Sequence, residues 1–96
     1  MGHMGNIICG IIDVLRCKHP EFSYRFDEHN IHLLVNRTNF CFYFEGTDIF
    51  VSRLKPIDKQ TWEFCGIPFR VPLGDPNCFD EVVGYIIAQY MIVRKS

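Results

Sequence analysis

Three successive runs in the middle of the chain alternate with period two: Ile31-His32-Leu33-Leu34-Val35, Phe40-Cys41-Phe42-Tyr43-Phe44 and Ile49-Phe50-Val51. They are rich in β-branched and aromatic residues and are separated by Asn36-Arg37-Thr38-Asn39 and Glu45-Gly46-Thr47-Asp48, which predicts an antiparallel meander. Alternation sends Ile31, Leu33, Val35, Phe40, Phe42, Phe44, Ile49 and Val51 to one face, the expected core. Upstream, Phe22, Tyr24 and Phe26 alternate with Ser23 and Arg25, so Glu21 to Phe26 reads as a half-buried strand entering the meander through a polar turn, Asp27-Glu28-His29-Asn30. Downstream, Lys55 to Gln60 reads as a loop. Thr61 to Val71 resumes extended structure with Gly66 and Pro68 inside it, which suits a bulge, an edge strand or two short strands with a bend; we favour a bent edge strand.

The two ends carry a different period. Ile7, Ile8, Ile11, Ile12 and Leu15 form a helical stripe over Asn6 to Lys18, with Asn6, Gly10, Asp13 and Arg16 on the other side, and Pro20 prevents continuation. Phe79, Val82, Val83, Ile86, Ile87, Tyr90 and Met91 make a second stripe. Asp75 is placed to cap it, Pro76 suits its first position, and Asp80 and Glu81 favour the positive end of its dipole. The fold class expected is α+β, a two-layer sandwich ordered helix, antiparallel sheet of four to five strands, helix, with both helices on one sheet face.

At 96 residues, 48% of them hydrophobic and 15% aromatic, the chain is expected to be one domain with a core that needs no staples. That domain runs from residue 4 to 96, because Met1-Gly2-His3 ahead of a second methionine, Met4, reads as a vector remnant. The formal charge of -1 and a pI near 6.4 supply no overall attraction to nucleic acid or anionic membranes. The Ile7 to Leu15 run is interrupted by Gly10 and Asp13, so it reads as neither a signal peptide nor a membrane span, and a cytoplasmic location is expected. An odd cysteine count, with Cys9 and Cys41 inside apolar runs, points to small hydrophobes in a reducing compartment rather than a disulfide framework.

Candidate chemistry is sparse. Cys17 and His19, then His29 and His32, are zinc-binding residue types, but their spacing lacks the paired-cysteine half of structural zinc sites, and a loop, a turn and a sheet surface explain the histidines equally well. Cys78 sits in a helical first turn, where the dipole can activate a thiol, yet no residue is nominated as its base. The carboxylates fall in turns and helix starts. The element order is similar to that of double-stranded-RNA-binding domains, but where those carry a basic cluster this chain has Asp75, Asp80 and Glu81, which would repel phosphate. No enzyme, cofactor or metal is therefore expected.

Alternation also leaves Leu34, Cys41, Tyr43, Phe50 and Leu54 on the sheet face away from the helices, beside Ser23, Arg25, His32, Asn36 and Ser52. A solvated face is ordinarily more polar than this. The expectation is a non-enzymatic protein-interaction module, a homodimer whose contact centres on Leu34, Tyr43, Phe50 and Leu54 with Arg25 and His32 at the rim, with another protein as its second partner and, from size and composition, an accessory or inhibitor role in a mobile element or phage. Two alternatives stand beside it: the face coils and buries itself, or the domain binds a small ligand in an aromatic-lined pocket between helix and sheet.

Overall fold

The computed structural model describes residues 2–27 and 31–95. Helix α1 (Gly2–Lys18) leads into strands β1 (Tyr24–Asp27), β2 (His32–Val35), β3 (Thr38–Glu45), β4 (Asp48–Pro56), β5 (Trp62–Phe64) and β6 (Phe69–Pro72), and helix α2 (Cys78–Lys95) closes the chain. All strand pairs are antiparallel, in the order β1-β2-β3-β4-β5, and β6 pairs with β4 further along the edge that β5 occupies. The predicted edge strand is thus broken in two, making six strands where four to five were expected. Gly66, at φ 78, stands in the break next to Ile67 and Pro68, and proline cannot donate to a ladder.

Both hairpins of the meander close through two residues: Val35 pairs with Thr38 around Asn36-Arg37, and Glu45 pairs with Asp48 around Gly46-Thr47. The first loop residue is left-handed in each, Asn36 at φ 55 and Gly46 at φ 61, conformations that asparagine and glycine tolerate best. Asn36 also fastens neighbouring elements: its Oδ1 accepts from the Ser23 N–H at 2.9 Å and its Nδ2 donates to Tyr90 Oη at 3.0 Å.

The core lies between the helices and one sheet face. Leu33, Val35, Phe40, Phe42, Ile49, Val51 and Val71 from the sheet meet Ile8, Ile11 and Leu15 of α1 and Val82, Val83 and Ile86 of α2, all buried. Helix α2 begins at Cys78 rather than at Pro76: Asp75 Oδ1 accepts from the Asn77 N–H at 2.9 Å in a turn just ahead of the helix, two residues short of capping it. Further local expectations change. Helix α1 begins at Gly2 rather than Asn6, Cys9 is exposed rather than a core filler, and Gly10 faces α2 instead of solvent: a Cβ there would stand 2.6 Å from Phe79 Cε2. Ile31 packs on the core from a left-handed backbone at φ 55 just before β2, so it is not a strand residue. Of the predicted turn Asp27-Glu28-His29-Asn30, Asp27 is instead the last residue of β1, and the other three lie outside the described residues.

Candidate functional site on the outer face of the sheet

The register assembles the outer face row by row. Arg25, Leu34, Asn39, Leu54 and Phe64 lie opposite one another across five strands, Asp27, His32, Cys41 and Ser52 form the next row, and Tyr43, Phe50 and Arg70 a further one. The sequence-predicted contact residues therefore do share one face. Tyr43 and Phe50 stack in parallel, ring centroids 4.7 Å apart and planes 4° apart, and Arg70 beside them closes on Asp48 at 2.7 Å.

That face curls on itself at the β5 end. On a flat sheet the backbone positions of His32 and Trp62 would stand roughly 20 Å apart, three strand spacings across and four residues along. Their rings approach to 6.4 Å in an edge-on pair. The curl buries Ser52 completely and Leu54 to 7% exposure, so part of the face covers itself. Leu54, expected at the centre of a contact, offers a partner almost no surface; Leu34, Tyr43, Phe50 and His32 remain half-buried, and Arg25 is exposed.

The curl also lines a solvent-open cleft of about 360 Å³. Half-buried Leu34, Asn39 and His32 form its inner part, and exposed Arg25, Asp27, Gln60 and Trp62 its rim. Asn39 Oδ1 is the one buried side-chain oxygen or nitrogen among the described residues without a hydrogen-bond partner. Burying such a group unpaired costs about 1–3 kcal/mol. A second depression of about 490 Å³ opens where the sheet end meets Val93 of α2, and Arg37, Arg53 and Lys55 line it with Trp62 as its only aromatic. The lining of this depression thus carries three cations and one indole, while the aromatic residues of the inner face are packed into the core.

The remaining candidates are dispersed. Cys17 is exposed on α1, His19 stacks on Phe22 and faces Glu21 at 3.6 Å, His32 lies against Trp62, and His29 is outside the described residues. No group of three or more potential metal ligands occurs among the described residues. Cys78 is buried, and burial, with Asp75 and Glu81 nearby, pushes its thiol pKa up, the opposite of activation. Sequence reasoning missed Asn39, Gln60, Trp62, Phe64 and Ile67. Trp62 and Phe64 do alternate, but nothing in their spacing says that the strand folds back over the sheet.

No described helix is long and apolar enough to cross a membrane. Comparison with models of protein families finds no match to this chain, and neither does comparison with curated proteins or with solved structures.

Proposed function

We propose that this domain is a non-enzymatic protein-interaction module that pairs with a second copy of itself through the outer sheet face and the β5 edge adjoining it. One observation carries the reading: of the six large apolar side chains that stand exposed among the described residues, four, Ile57 (58%), Trp62 (40%), Phe64 (54%) and Ile67 (91%), belong to a single short segment along that edge. Scattered apolar residues need no explanation, whereas a concentration of them on a sheet edge is a surface that gains by being covered. The edge strands β5 and β6 also present unpaired backbone groups on their outer side, which a partner strand can satisfy. A two-fold arrangement brings the same edge from both copies together, and a net charge of -1 opposes it little.

Tyr43, Phe50 and Leu34 extend this surface inward and Arg25 and His32 border it; the exposed anchors are Phe64 and Ile67. Light scattering over a concentration series tests the reading. The wild type should run as a dimer, and Phe64→Asp or Ile67→Asp should give a monomer with unchanged circular dichroism. A wild type that stays monomeric at every concentration would remove self-pairing.

A further inference from the structure

We propose that the basic depression between the end of α2 and the sheet binds a small molecule carrying a diphosphate group, held by Arg37, Arg53 and Lys55. Its volume of about 490 Å³ falls within the range of small-molecule sites, about 300–1,000 Å³. All of its lining belongs to one chain, so the inference does not rest on self-pairing.

Charge selects the class. Three cations converge on one concavity, and no carboxylate lines it. None of the three forms an ion pair among the described residues, whereas Lys18 pairs with Asp80 and Arg70 with Asp48. Arg37 and Lys55 are exposed and can reach a ligand. Arg53 is half-buried and already oriented: its Nε donates to Gln89 Oε1 at 3.0 Å, which fixes the plane of the guanidinium and leaves the two terminal nitrogens without a partner among the described residues. A fork so held matches two oxygens of one phosphate, and a lysine ammonium supplies a point charge to the next. One phosphate ester carries about -1.5 to -2 charges, short of three cations, whereas two linked phosphates supply the match.

Two features oppose an anion here, and both are smaller. The last turn of α2 reaches the depression through Val93, but the negative end of a helix counts as about half an elementary charge against three whole ones. Glu63 stands opposite Lys55 across the ladder of β4 and β5, yet forms no ion pair with it. A nucleic acid would draw on a positive field over the whole molecule, which a formal charge of -1 does not provide.

Calorimetric titration of inorganic pyrophosphate into the full chain at low salt tests the site. The emission of Trp62 is unsuited, because that indole borders the outer-face cleft as well. Pyrophosphate should saturate one site below millimolar concentration. Arg37→Gln and Lys55→Gln should each weaken it fivefold or more without moving the thermal midpoint of the free protein, and Glu63→Gln should tighten it. Arg25→Gln, in the outer-face cleft, should leave it unchanged. Adenosine diphosphate separates the sources of the group: tighter binding than pyrophosphate assigns a nucleotide with its base on Trp62, and equal or weaker binding assigns inorganic diphosphate. The inference is overturned if pyrophosphate does not saturate at millimolar concentration, or if Arg37→Gln and Lys55→Gln bind it as well as the wild type. Equal weakening by Arg25→Gln would also overturn it, as would citrate binding as tightly as pyrophosphate.

Discussion

Gly10 and Gly84 lie inside the two helices, and their surroundings set them opposite outcomes. A Cβ on Gly84 meets nothing within 4 Å, so Gly84→Ala should add about 0.5–1 kcal/mol of stability by removing backbone freedom from the unfolded chain. A Cβ on Gly10 meets Phe79 Cε2 at 2.6 Å, so there the same gain is set against a ring that must move and the core neighbours behind it. Urea denaturation should place Gly10→Ala at least 1 kcal/mol below Gly84→Ala, and Phe79→Leu should shrink that gap. Equal stabilisation by the two alanines would mean that the helices do not touch through Gly10. Cysteines differ on the same principle. Cys9 and Cys17 are exposed and Cys78 is buried with a raised pKa, so a thiol reagent at neutral pH should modify the first two in the folded protein and reach Cys78 only as the domain unfolds. Rapid labelling of Cys78 in the native state would contradict its place in the core.

At the scale of elements, α2 is fastened to the sheet by Tyr85. Its ring stacks on Phe69 at 5.1 Å and meets Phe40 edge-on at 6.3 Å, while its hydroxyl accepts the Arg53 backbone N–H at 3.1 Å, just where β4 passes from pairing with β6 to pairing with β5. Tyr85→Phe keeps the packing and orphans that amide, so it should cost about 1–3 kcal/mol and speed hydrogen exchange at Arg53. No change in either would show the bond to be dispensable. The element types were legible because two periods separate cleanly: every third or fourth residue at the ends, every second between. The inner face followed from that alternation alone, as did the membership of Leu34, Tyr43 and Phe50 in the outer face. Curvature was not legible. A period of two records which face a residue occupies and nothing about which residues a coiled sheet brings together, so Leu54 reads as surface yet is buried, and Trp62 reads as a distant edge residue yet meets His32. Cys9 misled for a related reason. It sits in an apolar run, but its angle about the helix axis points it to solvent.

Across the whole molecule, burial acts in one direction on the groups that lose their protons in alkali. Burial is the leading cause in each case: it raises the Tyr24 phenol, with Glu21 adding to the effect and Arg16 opposing it, raises the Cys41 thiol, and raises the Cys78 thiol with help from Asp75 and Glu81. Tyr24 also donates its hydroxyl proton to the carbonyls of His19 at 2.8 Å and Leu15 at 3.2 Å, so ionisation would remove the bonds that tie β1 to the end of α1. A folded pKa above the unfolded one means that the native state holds more protons in the window between them. The stability these groups contribute is therefore complete below the unfolded thiol pKa, about 8.5, and is lost as pH rises through the folded values. On the acid side Asp58 is lowered by the Gln60 and Thr61 hydrogen bonds and Glu81 is raised by desolvation and Asp75; both are fully exposed and act in opposite senses. The urea midpoint should accordingly be level through neutral pH and fall from about pH 8.5 upward. Cys41→Ala combined with Cys78→Ala should flatten the first part of that fall while lowering the plateau, and Tyr24→Phe should flatten the later part. A midpoint that holds level to pH 10.5 in the wild type would mean that these three groups ionise as freely in the fold as outside it.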